Sequence, residues 1–315
     1  MIKNILAMRN DRFGEFLLII PALRALKEKY PQANVTLAVD NYVVDLANAV
    51  EGVNDLIVWE NRGHSFREIY AFSRRLKARQ FDLVVIFNPS KESNQACALA
   101  GIPIRVGYDR KWGFLLTHKM TDNKDSGLKH EVEYNLELVN LIGAGTTDKT
   151  ISLDKLPAVD NLKYTGAIAL HLFTSDPVKE WPVERFMELA KRLTREMKVK
   201  IVLLGKVKKG EGLRPGIVPA GIEDLINKTT LIGLASVLKE CRLLVTCDSG
   251  PMHLSAAVGT PVVALFRNDL QGKTARRWGP WGKGHTVIDK NKLEDISVDE
   301  VMEVVKDKLN SGTVP

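Results

Sequence analysis

The sequence predicts an α/β protein with two Rossmann-like domains, each a doubly wound parallel sheet. Short apolar runs alternate with segments whose apolar residues recur at helical spacing. This alternation is typical of a parallel sheet covered by helices on both faces. It stops in the loop-rich segment 143–161 and then starts again. We therefore predict a first domain over 1–155 and a second over 156–315, facing a cleft that holds ligands at the carboxyl ends of their strands.

Composition narrows the class of protein. The chain has 315 residues, of which 45% are hydrophobic and 26% charged, and these values exclude disordered and fibrous proteins. The sequence contains no run of roughly 18 apolar residues, the length that a membrane-spanning helix needs. The N-terminal segment lacks the apolar stretch of a signal peptide. The 3 cysteines are odd in number and carry no metal-ligand spacing. We expect a cytoplasmic protein with reduced thiols.

The formal net charge is +7, and the densest basic stretch is 191–214. Such an excess can attract phosphates, anionic lipid headgroups or nucleic acid. For most of these side chains we favour the simpler explanation, a solvated helix face followed by a loop. The stretch has no interleaved aromatic residues and only 7% of the chain is aromatic, so we do not expect nucleic acid as a partner.

In the first half, apolar runs bounded by polar residues predict the strands 4–8, 34–39, 55–59, 81–87 and 103–108. Helical spacing predicts helices over 15–30, 43–50, 65–80 and 91–101. Pro21 falls inside the first of these helices. It should bend that helix or occupy a position where its missing N–H is tolerated.

The second half repeats the pattern. Its predicted strands are 166–173, 199–205, 242–246 and 261–266. Its predicted helices are 183–197, 231–240 and 251–258. Ser297 and Glu300, three residues apart, have the spacing of a capping box and announce a last helix.

The turn after the first strand, residues 9–15, is the first candidate site. Gly14 at a helix entrance lets the backbone approach a ligand, and helix N-terminal amides attract anions. Glu15, in the first helical turn, can act as a general base. The alternative is that Glu15 only complements the helix dipole while Arg9 and Arg12 are surface charges.

The turn after the first strand of the second domain is the next candidate. Thr174, Ser175 and Lys179 offer two hydroxyls and a cation before a helix, which is a combination that can hold a diphosphate. These residues can equally be simple turn formers, with Trp181 and Pro182 starting the helix.

A third polar turn follows the strand 242–246. Asp248, Ser249 and Gly250 precede Pro251, a common first-turn residue, and His253 lies one turn into the helix. By itself this segment could be only a good helix start. Three polar turns at the same kind of strand end favour a binding site over three coincidences.

Other motifs are missing from the sequence. It contains neither a Walker A sequence nor a correctly spaced dinucleotide fingerprint, and it has no Asp-x-Asp pair for a metal–diphosphate complex. Its 6 histidines show no metal-ligand spacing. We therefore expect neither a metal nor an organic cofactor.

At these turns the chain resembles a family 9 glycosyltransferase, the family of the ADP-heptose:lipopolysaccharide heptosyltransferases. The most specific segment is CDSGPMHLSAAVGTPVVALF, where the family has DSGPMHLAAALGTPVVALF. The similarity also includes RNDRFGEFLLIIPALRALK, RVGYDRKWGFLLTHK, KHEVEYNLELV, TSDPVKEWPVERF and NKTTLIGLASVLKECRLLV.

The resemblance implies a GT-B fold and an inverting, metal-independent transfer of heptose from a nucleotide diphosphate to an inner-core sugar of lipopolysaccharide. It also implies roles for individual residues. The donor-binding positions are Thr174, Ser175, Lys179, Glu211, Thr229, Asp248, Ser249, Gly250 and His253. The basic positions for the acceptor are Arg9, Arg12 and Arg105.

Three positions depart from the family pattern. Glu15 stands where the family has its catalytic aspartate, Arg267-Asn268-Asp269 replaces Gly-Pro-Thr, and Leu172-Phe173 replaces Pro-Gly.

We predict an inverting glycosyltransferase in which Glu15 is the base and Lys179 stabilises the departing diphosphate. The acceptor is then a lipid-linked glycan, and we expect peripheral contact with the inner face of the cytoplasmic membrane. The alternative, suggested by Glu15, is a catalytically silent sugar-nucleotide-binding protein.

Overall fold

Two six-stranded sheets, in which every strand pair is parallel, form the framework of the chain. They belong to two units, Met1–Lys155 and Leu156–Pro315. The computed structural model describes residues 1–157, 163–207, 218 and 221–310. The two sheets confirm the predicted class of fold, two doubly wound parallel sheets.

The first unit has the strand order β3-β2-β1-β4-β5-β6. The strands are β1 (Asn4–Met8), β2 (Asn34–Val39), β3 (Asp55–Val58), β4 (Leu83–Ile86), β5 (Ile104–Tyr108) and β6 (His118–Met120). The helices are α1 (Phe13–Leu17), α2 (Ile20–Lys29), α3 (Val44–Asn48), α4 (Phe66–Ala78), α5 (Lys91–Leu99) and α6 (Glu131–Asn140). The strand order reverses between β1 and β4, so the turns after these two strands lie at the switch point of the sheet.

The second unit repeats this topology with the order β12-β11-β10-β7-β8-β9. The strands are β7 (Ile168–His171), β8 (Ile201–Leu204), β9 (Glu223–Asp224), β10 (Leu243–Cys247), β11 (Val262–Arg267) and β12 (Thr286–Lys290). The helices are α7 (Val183–Met197), α8 (Leu231–Glu240), α9 (Gly250–Ala257), α10 (Ala275–Trp278) and α11 (Val298–Asn310). The switch point lies between β7 and β10.

The central strands are buried along their whole length, because helices cover both faces of each sheet. This burial explains why they appear in the sequence as continuous apolar runs. The edge strands β6, β9 and β12 are shorter or more polar, and the apolar pattern did not predict them.

The single helix predicted over 15–30 is wrong. The segment forms two helices, α1 ending at Leu17 and α2 beginning at Ile20, with Pro21 in the first turn of the second. A proline is tolerated in that turn because its missing N–H would have no intrahelical acceptor there. The helices predicted over 183–197 and 231–240 are confirmed to the residue.

The basic stretch 191–214 is described only as far as residue 207. In that part Arg192 lies on the surface of α7, where its guanidinium contacts Asp299 at 2.6 Å and Glu196 at 3.3 Å. This arrangement agrees with the solvated-helix interpretation of the stretch.

Trp181 anchors the second unit. Its side chain is fully buried and its ring meets that of Phe186 edge to face, with centroids 4.8 Å apart. Its Nε1 donates to the carbonyl of Ile296 at 3.0 Å, and its backbone N–H contacts Cys247 Sγ at 3.3 Å. Through its side chain and its backbone N–H, this residue therefore joins the turn before α7, the end of β10 and the segment just before α11.

We expect Trp181→Phe to lower the free energy of unfolding of the second unit by about 1–3 kcal/mol, because it removes buried ring area and the indole hydrogen bond. Urea denaturation followed by far-UV circular dichroism measures the change. Trp112→Phe is the matched control, since Trp112 is 48% exposed and its replacement should change stability by less than about 0.5 kcal/mol. Equal effects of the two variants would contradict the anchoring role.

Candidate functional site

Arg9 leaves the end of β1 and turns into the protein. Only 3% of the residue is exposed. Its Nε donates to Asp11 at 2.7 Å, and its terminal nitrogen lies 3.4 Å from both the carbonyl of Phe87 and Glu131 Oε1. Burial alone would lower the pKa of Arg9, but Asp11 and Glu131 outweigh it and hold that pKa above its ordinary value. This burial places the guanidinium among the ion pairs behind the turn, and contact of Arg9 with the acceptor stays a prediction.

Glu15 lies at the third position of α1, where one oxygen accepts the backbone N–H of Arg12 at 3.1 Å. The side chain is half-buried. Burial raises the pKa of Glu15, as does the nearby carboxylate of Asp11, while Arg9 and Arg12 oppose the shift. The capping bond supports the dipole interpretation, and the raised pKa supports a general base. The two roles are compatible in one side chain.

A buried ion-pair network lies behind this turn, and sequence reasoning missed it. Glu131, the first residue of α6, is fully buried and contacts both Arg9 and Lys124, at 3.4 and 3.5 Å. Lys124 is also buried, with its Nζ 4.1 Å from the centre of the Tyr108 ring. Glu131 belongs to the segment KHEVEYNLELV, which is one of those that resemble family 9. The spacing of that segment does not show that Glu131 faces the end of β1.

Arg105 is not brought to this turn. It lies in the first half of β5, opposite Val84 in the register, rather than at the carboxyl end of the strand. Its guanidinium donates to the carbonyls of Leu115, at 2.7 Å, and Ile102. These bonds give Arg105 a structural role in the loop after β5. Arg12, by contrast, is exposed beside Glu15.

In the second unit, the turns after β7 and β10 meet through an ion pair between Lys179 Nζ and Asp248 Oδ2. The two side chains are only 15% and 12% exposed. Lys179 ends a 3-10 turn that starts at Pro177, and Asp248 directly follows β10. The predicted cation and the predicted carboxylate are therefore neighbours at the switch point of this sheet.

The neighbouring turn, which carries Thr174 and Ser175, is held by hydrogen bonds among its own residues. The N–H of Thr174 donates to Glu180 Oε1 at 2.8 Å, and its hydroxyl donates to the carbonyl of Asp176 at 2.7 Å. Ser175 is exposed. These bonds fix the loop that presents Ser175 and Lys179.

The N-terminus of α9 lies at the same place. Ser249 is its N-cap residue, but the side chain makes no capping bond and contacts Thr246 Oγ1 at 3.0 Å and His171 Nδ1 at 3.5 Å. Its hydroxyl therefore does not occupy the first amides of α9, which begins at Gly250. Such helix starts bind phosphate and other anions. His253 lies one turn further along and is 4% exposed.

Arg267 adds a feature that the family pattern lacks. It ends β11, forms two 2.6 Å contacts with Asp269 and donates to the carbonyl of Val178 at 3.0 Å. Where the family has Gly-Pro-Thr, this chain therefore has the ion pair Arg267–Asp269. The hydrogen bond to Val178 joins this pair to the turn that carries Lys179. A single depression is lined by Lys179, Asp248, Leu265, Phe266, Arg267, Lys273 and Leu293.

The remaining predicted donor residues lie elsewhere in the second unit. Thr229 is half-buried in the turn before α8, next to Thr230, whose hydroxyl accepts the N–H of Gly233 at 3.1 Å. Glu211 lies outside the described residues. Within the part of the chain that the structure describes, no group of three or more His, Cys, Asp or Glu side chains could hold a metal ion.

Two buried titratable groups, His171 and Cys247, lie next to the turn that carries Asp248. His171 Nδ1 lies 3.1 Å from Thr246 Oγ1, and burial lowers the pKa of His171 to about 4. Burial raises the pKa of the Cys247 thiol to about 12. At neutral pH, His171 is therefore a neutral hydrogen-bonding group and Cys247 an uncharged one.

Two doubly wound parallel sheets in one chain are the architecture of the GT-B type glycosyltransferases, and the Lys179–Asp248 pair lies at the switch point of the second sheet. The family model for glycosyltransferase family 9 (heptosyltransferase) matches residues 69–304. The chain belongs to this family and is a glycosyltransferase. The match includes the turns with Lys179 and Asp248, whereas the turn with Glu15 precedes it.

Individual relatives agree with this assignment. The chain is 25% identical over 290 residues to lipopolysaccharide heptosyltransferase 2 of Escherichia coli, covering 84% of this chain and 82% of the relative. The crystal structure of a family 9 glycosyltransferase from Veillonella parvula superposes with a TM-score of 0.83 at 20% identity, covering 98% of each chain. The structure of E. coli ADP-heptose LPS heptosyltransferase II gives 0.82 at 23% identity, covering 98% of this chain and 99% of that one.

We expect the second unit to lose stability as the pH falls from about 6.5 to 4. The pKa of folded His171 is about 4, below the value of about 6.5 for an unfolded histidine, so the unfolded chain binds more protons in this range. A shift of this size corresponds to about 3 kcal/mol. Urea denaturation at a series of pH values measures it.

His171→Asn should flatten the pH dependence. Part of the slope should remain, because burial also lowers the pKa of His285 to about 4. His118→Asn, at an exposed position, is the control and should leave the slope unchanged. An unaltered slope in His171→Asn would show that His171 is not the titrating group.

Proposed function

We propose that this enzyme is an inverting, metal-independent transferase that moves heptose from ADP-heptose to a lipopolysaccharide core or a related envelope glycan. The observation that carries the proposal is the Lys179–Asp248 pair at the start of α9, a ready site for a diphosphate. The names of the similar proteins supply the sugar and the acceptor class.

On the donor side, Lys179 supplies the main cation. When a nucleotide diphosphate binds, Lys179 donates to a phosphate oxygen, and Asp248 keeps the ammonium group in position. The hydroxyl of Ser175 and the amides at Ser249 and Gly250 complete the set of donors, and the hydroxyl of Thr174 joins them when it exchanges the carbonyl of Asp176 for a phosphate oxygen. Because these donors are already in place, they can stabilise the charge that develops on the leaving diphosphate.

Three other residues of this unit belong to the proposed donor site. We assign to His253, together with Asp248, the orientation of the donor. Thr229 would line the adenine pocket and Glu211 would contact the ribose. These assignments extend the resemblance of the sequence to the family.

On the acceptor side, Glu15 takes the proton. In a single displacement, the acceptor hydroxyl oxygen attacks the anomeric carbon and its proton moves to the carboxylate of Glu15. The bond between that carbon and the diphosphate oxygen breaks, so the anomeric configuration inverts. The raised pKa of Glu15 makes the carboxylate a stronger base than an exposed one. Exposed Arg12 can contact an anionic group of the acceptor.

We further propose that the enzyme works in the cytoplasm, in peripheral contact with the inner face of the membrane where a lipid-linked acceptor resides. No helix among the described residues has the length and apolar character needed to cross a bilayer. The support for membrane contact is the acceptor class named for the relatives.

Calorimetric titration without added metal should detect binding of ADP in preference to UDP and GDP. Lys179→Ala should weaken ADP binding by about 10- to 100-fold, the loss typical of a charge-assisted hydrogen bond. Lys191→Ala, which removes an exposed lysine from α7 of the same unit, is the matched control and should bind ADP like the wild type.

A preference for UDP or GDP would retain the reaction class and overturn the heptose donor. Binding of none of these nucleotides would contradict the whole donor site. Equal affinities of Lys179→Ala and the wild type would remove Lys179 from the phosphate site.

Glu15→Gln should reduce the transfer rate by about 100- to 10,000-fold, because a positioned general base contributes that much. Its affinity for ADP should remain unchanged, because the donor residues belong to the second unit. Transfer assays at saturating donor, together with the calorimetric titration, separate the two effects. Equal losses of ADP binding and turnover would contradict the base assignment.

Two further variants sharpen this test. Asp11→Asn removes the carboxylate that helps to raise the pKa of Glu15, so the acid limb of the kcat/KM profile should move to lower pH. Glu15→Asp should change the rate little if the glutamate is fully active. A large gain in Glu15→Asp would instead favour the catalytically silent alternative.

A further inference from the structure

Two aromatic side chains stand exposed on the loop after β5. Trp112 is 48% and Phe114 is 70% exposed, and their ring centroids are 5.8 Å apart. Neither side chain has a part in the proposed transfer. Two large apolar rings side by side in water are unfavourable unless another surface covers them.

The loop is held in this shape by the rest of the unit. Leu116 is buried in the core beneath it, and Asn94 Nδ2 donates to the carbonyl of Lys111 at 2.9 Å. A Cβ on Gly113 would lie 2.6 Å from Asp109 Oδ1. Lys111 and Trp112 both have left-handed backbone angles, with φ of 46° and 70°. The exposure of the rings is therefore built into the loop and does not result from fraying.

Cations flank the rings. Residues 109–119 contain Arg110, Lys111 and Lys119 against one acidic residue, Asp109. Lys111 is exposed next to Trp112, and Arg110 and Lys119 remain about half exposed although they pair with Asp122 and Asp109. Asp122 and Asp109 offset the charges of Arg110 and Lys119, so the net positive charge beside the rings comes from Lys111.

This combination matches an anionic lipid surface better than a protein. Tryptophan prefers the headgroup region of a bilayer, where its ring is half in apolar surroundings. Lysine and arginine next to it are attracted to anionic lipids. A stable protein interface buries about 800 Å² on each partner, which is much more than two side chains can supply.

The loop lies at the same edge of the sheet as the turn with Glu15. It follows the carboxyl end of β5, and the turn with Glu15 follows the carboxyl end of β1 in the same sheet. In a parallel sheet these ends share one edge. A membrane that meets this loop is therefore on the side of the unit where the acceptor has to bind.

We propose that the loop 110–115 docks the enzyme on anionic lipid, with Trp112 and Phe114 inserted among the headgroups and Arg110, Lys111 and Lys119 facing lipid phosphates. This inference rests on the proposed action on a lipid-linked acceptor. It assigns the membrane contact to particular side chains.

Flotation of the full-length protein with phosphatidylglycerol-containing vesicles tests the proposal, with pure phosphatidylcholine vesicles as the uncharged comparison. The wild type should bind the anionic vesicles and should dissociate as salt is added. Trp112→Ser with Phe114→Ser should weaken binding at least tenfold, and Lys111→Glu should weaken it on anionic vesicles only.

The matched control is Phe66→Ser. Phe66 is 68% exposed at the start of α4 in the same unit, so this variant removes a comparable ring from another place. It should bind vesicles like the wild type. Emission from Trp112 should shift to the blue on anionic vesicles, and Trp112→Phe should lose this shift. Unchanged vesicle binding in the double variant would overturn the proposal.

Transfer to heptose-deficient lipopolysaccharide, intact or deacylated, separates docking from sugar recognition. The double variant should be impaired with the intact acceptor and normal with the deacylated one. Equal losses on both would mean that the rings contact the glycan, which would overturn lipid docking. The ADP affinity of the double variant should match the wild type, so loss of docking is distinguishable from failure of the proposed function.

Discussion

Parallel strand pairing is the constraint on which the rest of the structure depends. Each strand must return through a helix before the next can pair, so all the turns that lead from strands into helices collect at one edge of each sheet. In the first unit this edge carries Arg9, Glu15 and the loop with Trp112. In the second it carries Lys179 and Asp248. The candidate site residues lie at these edges because the side chains of the strands are buried in the core.

Buried charge distinguishes the two edges. The first is held by a network of Arg9, Asp11, Glu131 and Lys124, in which each ion offsets the cost of removing its neighbour from water. Such a network contributes little net stability, but loss of one member leaves an uncompensated buried charge. It therefore holds the turn before α1 in one arrangement. The second edge has smaller and more exposed pairs, Lys179 with Asp248 and Arg267 with Asp269.

The sequence was sufficient to predict most of the buried strands and the long helices, but it did not predict which polar side chains are buried. Helix α7 was predictable because its apolar residues follow one stripe, and the turns with Lys179 and Asp248 were predictable because they follow apolar runs. Arg9 was expected at the surface, and its burial depends on α6, more than a hundred residues away in the chain. Arg105 was assigned to the acceptor from a local segment, although its guanidinium donates to the carbonyls of Ile102, before β5, and Leu115, after it. Partners of this kind are set by tertiary packing, which local spacing does not record.

The distribution of these residues between the units has an evolutionary consequence. Glu15 and the charges that tune it all belong to the first unit, while Lys179, Asp248 and Arg267 all belong to the second. Mutations that alter one set leave the contacts of the other intact, so the two halves can diverge at different rates. The Arg267–Asp269 pair is an example, because the contacts of its side chains, to each other and to the carbonyl of Val178, all lie in the second unit. Recombination between relatives at the junction near Lys155 would exchange complete sets of interactions.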